Sequence, residues 1–400
     1  MAAPWVTRTV VGIVLATFFS DVGHEMVTAV LPLYLASVGL GPAALGVMEG
    51  AADLAFSLSK LAGGAVGHRV QRKRPWMVAG YLVTTLGTGL IALTRAAAAV
   101  VSLRTFAWFG RGFRSPLRDF LLSDEVGPTH FGRAYGFERS ADMVGALLGP
   151  LVAALLVWSG ASLQAVILWS IVPSALSAAA ALVLTRDRIA PATAPAAAPA
   201  APTPAAPGGS FPRAYWLFVG GVLLFGLGDF SRTFLIVLAA RALGTGDPST
   251  ILTTAVLLYA GHNFVSALAA YPAGKLGDAR GKAPVLVVGY ALGVITNVTL
   301  ALGGASLSWL VVAIVLSGIY IAIEETLEKA VVAQLLPREQ RSLGLGVLAS
   351  ANALGDLGSS LTVGFLLAAD RPMLAFLIPA AVGGLGAAWM IALVARRTIR

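Results

Sequence analysis

The sequence predicts an all-α membrane protein of 12 transmembrane helices in two six-helix bundles, and three observations carry that reading. Of 400 residues, 57% are hydrophobic and 12% are charged, where a soluble chain carries about 25% charged residues. Apolar stretches of bilayer-spanning length, about 20 residues, recur along the whole chain. The second half also repeats landmarks of the first at an offset of about 209 residues.

The predicted spans cover 10–36, 43–66, 75–94, 98–121, 134–157 and 162–184, then 214–239, 250–273, 284–303, 309–334, 343–368 and 372–395. The first is too long for a cleavable signal and has no small-residue cleavage site. Alternate loops are basic. His68, Arg69, Arg72, Lys73 and Arg74 follow span two, Lys275, Arg280 and Lys282 follow span eight, and Arg396, Arg397 and Arg400 form the tail. The opposite loops hold only Arg95, Arg241 and Arg371. By the positive-inside rule both termini face the cytoplasm, as in a multi-pass protein of the bacterial inner membrane. The same distribution explains the net charge of +9 without a nucleic-acid partner. No cysteine is present, which excludes disulfides and thiolate metal sites.

Residues 186–213 are dense in proline and alanine, a composition that gives an extended linker. The chain therefore divides into a bundle at 1–185, the linker at 186–213 and a bundle at 214–400. Pro75, Gly80 and Tyr81 recur as Pro284, Gly289 and Tyr290, and Asp21 and His24 as Asp229 and Arg232. Repeated halves mark transporters that rock two bundles about a midplane site.

Residues 64–73, GAVGHRVQRK, and 274–282, GKLGDARGK, resemble the loop motif G-x-L-A-D-R-x-G-R-K of the major facilitator superfamily. The first copy keeps Gly64, Arg69 and Arg72 but has His68 in place of the aspartate. The second keeps Gly274, Asp278 and Lys282. The resemblance implies a cytoplasmic gate, with the aspartate latched on a helix N-terminus. In the first copy that latch is missing or depends on a protonated His68. Gly145, Gly149 and Pro150 resemble the family's G-x-x-x-G-P antiporter motif. Together with ATFFSDVGHEM and RAYGFERSADMVGALLGP, these segments are similar to a bacterial subgroup without assigned substrates.

More than half of the 19 carboxylates fall inside the spans, and charge in hydrocarbon is functional by default. Asp21, His24 and Glu25 share a face of span one at helical spacing. Arg104, Arg111 and Arg118 recur every seven residues on span four, with Arg114 beside them, and span ten answers with Glu324, Glu325 and Glu328. In the resembled family, spans one, four, seven and ten line the cavity. The proton-coupling candidates are then Asp21, Glu25, Glu325 and Asp229. The substrate-cavity candidates are His24, Arg111, Arg114, Arg232, His262, Asn263 and Glu324. Arg118, Asp119 and Glu328 join the gate, with Arg69 or Arg72 as partners of Arg118 and Asp119.

The function expected is efflux of a small organic solute by proton antiport, from a monomer without cofactor. One alternative is uptake of a metal ion or chelate through Asp21, His24, Glu25 and His262. A receptor or anchoring protein lacks any docking domain in the sequence. No nucleophile–base pair or metal motif points to an enzyme.

Overall fold

In hydrocarbon the backbone must satisfy its own polar groups, which favours helices. In the computed structural model the described residues are 5–37, 39, 42–188, 210–230, 234, 238, 248–303 and 306–399. Among them every regular element is helical. The helices are α1 (Arg8–Ser37), α2 (Pro42–Arg69), α3 (Arg74–Leu90), α4 (Ala97–Glu125), α5 (Phe131–Trp158), α6 (Leu163–Trp169) and α7 (Ile171–Leu184). Beyond residue 210 come α8 (Arg213–Gly226), α9 (Pro248–Arg280), α10 (Lys282–Gly303), α11 (Leu307–Leu335), α12 (Arg338–Ala368) and α13 (Pro372–Ala395).

Among the described residues, seven helical segments are both long and apolar enough to cross a membrane. Two of the other predicted spans depart for identifiable reasons. Charge is the reason for α4, which carries Arg104, Arg111, Arg114, Arg118 and Asp119 along its length. Length is the reason for α8, which stops at Gly226 where a helix through 239 was predicted. A tight turn follows, with Gly228 N donating to Phe225 O at 2.7 Å and Asp229 N to Gly226 O at 2.9 Å. Span six, one of the seven, still divides into α6 and α7 at Ser170, because Pro173 offers no N–H to the carbonyl four residues back. Conversely, α2 and α9 run on into the two basic motifs, which were read as loops. No proline lies between Leu61 and Arg69, so His68 and Arg69 form the last turn of α2.

Large apolar side chains such as Leu93, Leu155, Trp158, Leu302, Phe365 and Leu385 are exposed, as suits a surface solvated by lipid. Helices meet through small residues, as membrane packing favours. The N-terminal helices touch the C-terminal ones chiefly along α5–α9 and α2–α12. A Cβ on Gly132 of α5 would stand 2.3 Å from Gly274 O of α9, and one on Gly64 of α2 would stand 2.9 Å from Ser342 O of α12. Both close approaches lie at the end that carries the basic loops. Trp5, ahead of α1, reaches the same end, with its ring 6.4 Å from His130 and 6.2 Å from both Phe137 and Tyr271.

Candidate functional site

Asp21 lies halfway along α1, 2% exposed, and forms an ion pair with Arg111 of α4. The glycines of α5 set its depth. A Cβ on Gly145 would meet Phe18 O at 2.6 Å, and one on Gly149 would meet the Cβ of Glu25 at 2.6 Å. The predicted antiporter-like motif, with Pro150 inside the helix, thus forms the seam that lets α5 approach Asp21 and Glu25. Asp142 of α5 stands beside Asp21.

His24 points elsewhere. Its ring packs edge-on to Trp108 at 5.0 Å, and Arg104 covers the same indole at 5.3 Å. Arg114 turns away from the carboxylates. It lies 3.9 Å over the Tyr81 ring and donates to Ser20 Oγ at 2.7 Å and Thr84 Oγ1 at 3.2 Å. Of the span-four arginines, Arg111 meets the acidic face of α1, whereas Arg114 binds α1 to α3.

From Asp142 a series of charges runs into the C-terminal helices. Arg139 contacts Asp142 at 2.5 Å and Glu325 of α11 at 3.2 Å. Lys329 lies 4.0 Å from Glu325 and 3.8 Å from Asp119 of α4. Arg118 then joins Asp119 at 3.0 Å and Glu138 at 2.9 Å, and Thr17 donates to Glu138 at 3.2 Å. The partners predicted for Arg118 and Asp119 are therefore replaced. Arg69 and Arg72 are exposed, Arg69 as the last residue of α2 and Arg72 in the segment that follows it. The Arg139–Asp142 and Glu325–Lys329 spacings, three and four residues, were visible in sequence. The contacts between α5 or α4 and α11 were not.

In the C-terminal helices, Asp229 accepts from Tyr320 Oη at 2.6 Å, and Glu324 is buried on α11. Arg232 lies outside the described residues. His262 bonds Ser317 Oγ at 3.1 Å and Asn263 Oδ1 at 3.3 Å. Among the described residues no three His, Asp or Glu side chains gather as a metal site, and His24 and His262 have separate surroundings. Glu328, predicted as a gate residue, binds neutral groups instead, Tyr290 at 2.5 Å and Asn352 at 2.7 Å.

At the basic-loop end, Asp278 accepts from Gly132 N and Arg133 N, each at 2.9 Å. These are amides of the first turn of α5, whose N–H groups have no partner inside the helix. Lys282 lies 3.2 Å from the same carboxylate. In the first repeat, His68 Nδ1 donates to Glu339 O of α12 at 2.9 Å. A carbonyl accepts from neutral or protonated imidazole alike, so this contact needs no protonated His68. Asp278→Asn is expected to weaken closure of this end by about 1.5–3 kcal/mol, the range for hydrogen bonds to charged groups. His68→Ala should weaken it by about 0.5–1.5 kcal/mol. Labelling of a cysteine placed at the seam measures both, and equal effects would contradict the asymmetry.

Beyond the seam, Arg338 of α12 binds Asp124 of α4, with Nη2 at 2.8 Å from Oδ2, and Arg188 O at 2.5 Å. Asp187 accepts from Lys73 N at 2.8 Å and Arg74 N at 3.1 Å at the start of α3.

The architecture has close counterparts. An uncharacterized MFS-type transporter of Methanocaldococcus jannaschii is 26% identical over 351 residues, 88% of this chain and 86% of that protein. The human organic anion transporter MFSD10 superposes with a TM-score of 0.74 at 16% identity, covering 96% of this chain and 99% of that one. A bacterial homologue of the iron transporter ferroportin, in an outward-facing state, gives 0.74 at 15% identity, with 97% and 99% covered. The Major Facilitator Superfamily profile matches residues 13–261 and 221–399, most of the chain, and the chain belongs to that superfamily of membrane transporters.

Proposed function

We propose that this secondary transporter works by proton-coupled antiport and exports a small organic solute. The observation that carries the reading is the buried Asp21–Arg111 pair, set beside charges that continue through Arg139 and Glu325 to the contact between N- and C-terminal helices. An ion pair buried in a low dielectric survives only while both partners stay charged and close. Protonation of Asp21 releases Arg111, and Asp142 and Glu25 are the neighbouring anions able to receive it. Asp21 and Glu25 are the proposed proton carriers, with Glu325 and Asp229 answering from the other half. Arg111, His262, Asn263 and Glu324 face the proposed substrate cavity.

Residues 1–185 and 214–400 act in this reading as two bundles joined by the 186–213 linker. The basic-loop end is cytoplasmic. The α5–α9 and α2–α12 contacts close that end, and separating them opens the cavity inward. The chain works as a monomer in the bacterial inner membrane.

A growth screen of a deletion strain against drugs and metabolites identifies a substrate. In proteoliposomes, flux of that substrate should follow an imposed pH gradient. Asp21→Asn should abolish the gradient's effect while substrate exchange persists. Gradient-driven flux unchanged in both Asp21→Asn and Glu25→Gln would remove the assignment.

A further inference from the structure

Glu328 differs from the other buried carboxylates. It is 1% exposed and forms no ion pair with any described residue; all its recorded partners are neutral donors. Tyr290 Oη of α10 donates to Oε1 at 2.5 Å, and Asn352 Nδ2 of α12 donates to Oε2 at 2.7 Å. Tyr290 is itself fixed, with its ring stacked face to face on Phe225 of α8 at 3.7 Å.

The surrounding charges offer Glu328 no compensation. Asp229, after α8, and Glu325, on α11, are both negative neighbours. Lys329, the next residue, directs its ammonium to Asp119 of α4 and Glu325. Arg139 of α5 contacts Asp142 and Glu325. Helix α9 meets this turn with Gly277, packed on Leu327. Taking a charge out of water without a counter-ion is costly.

The amide of Asn352 supplies the second observation. Its Oδ1 is buried and accepts no hydrogen bond, while its nitrogen faces Glu328. The two ends of an asparagine amide exchange by a half turn. With nitrogen forward, Asn352 donates to an ionised Oε2. With oxygen forward, it accepts from Oε2–H of the protonated acid. Tyr290 donates to Oε1 in either form. Both protonation states thus keep two hydrogen bonds, which a carboxylate held by a cation could not do on gaining a proton.

We propose that Glu328, Tyr290 and Asn352 form a proton-binding site in the C-terminal helices, in which Glu328 takes a proton from water and returns it as the Asn352 amide turns. One O–H bond forms on Oε2 and breaks on release, and no other covalent bond changes. The proposal deepens the proton-coupled reading above by adding a proton site on α11.

Infrared spectroscopy of the full-length protein in lipid nanodiscs tests it without a known substrate. Spectra are recorded from about pH 4 to about pH 10. The wild-type minus Glu328→Gln difference should contain a protonated-carboxyl C=O band that disappears as pH rises, with carboxylate bands growing in its place. Tyr290→Phe should move that band to higher frequency, because the carbonyl loses its donor, and this variant serves if Glu328→Gln does not fold. A difference spectrum with only carboxylate, or only neutral acid, across the range would overturn the proposal. So would a band unmoved in Tyr290→Phe. A titrating Glu328 band together with wild-type flux indifferent to the pH gradient would retain this site and refute proton coupling.

Discussion

Arg118→Ala is expected to destabilise the folded protein by about 3–5 kcal/mol, the cost of breaking a buried ion pair by removing one partner. Arg118 touches Asp119 at 3.0 Å and Glu138 at 2.9 Å, and all three side chains are buried. Its removal leaves Glu138 with the Thr17 hydroxyl alone, while Asp119 keeps Lys329 at 3.8 Å. Glu138→Ala should cost less, because Arg118 retains Asp119. Thermal unfolding in detergent, followed by loss of the monodisperse peak, reads the order. A Glu138→Ala variant less stable than Arg118→Ala would contradict the assignment of Arg118 as the shared cation.

Gly274→Ala should open the basic-loop end. Its Cβ would stand 2.0 Å from Gly132 O and 2.5 Å from Gly132 C. Both are backbone atoms that cannot rotate aside, so α5 and α9 must separate. Overpacking of this kind costs about 1–3 kcal/mol, which moves the closed-to-open ratio by about one to two orders of magnitude. The chain has no cysteine, so Ser140→Cys gives a single reporter. Ser140 Oγ bridges the seam, donating to Ala267 O at 2.8 Å and accepting from Tyr271 N at 3.2 Å. Thiol labelling from the basic-loop side should accelerate in the Gly274→Ala background. Unchanged labelling would show that the seam absorbs the methyl group.

The helices were legible because bilayer length and backbone satisfaction leave few alternatives. Their interruptions were harder to see. The turn at Gly226–Gly228 and the division at Ser170 depend on one glycine pair and one proline within runs of predominantly apolar residues. The acidic face of α1 was legible from spacing, yet His24 shares that spacing and packs on Trp108. Three residues apart leaves Asp21 and His24 about 60° apart on the helix, too coarse to tell which of two side chains facing α4 meets Arg111 and which meets Trp108.

Pairings between repeats were the least visible. Arg139 with Glu325, and Lys329 with Asp119, join residues about 190–210 positions apart, and no local rule predicts which faces will meet. Helix spacing did show that Arg139 and Lys329 each have a carboxylate on their own helix, and that was the available signal. Asp278 was readable from its motif. The partner of His68 was not, since a histidine in that position can donate to a carbonyl as the structure shows, or pair with an acid.

The account rests on the basic-loop end opening and closing as two bundles rock. Electron spin-echo distance measurement between labels at Gln71→Cys and Arg280→Cys tests this most directly, since both positions are exposed at that end, one in each repeat. The account predicts two distance populations in nanodiscs, with the longer one enriched by Gly274→Ala and by Asp278→Asn. A single distance, the same in all three proteins, would contradict it.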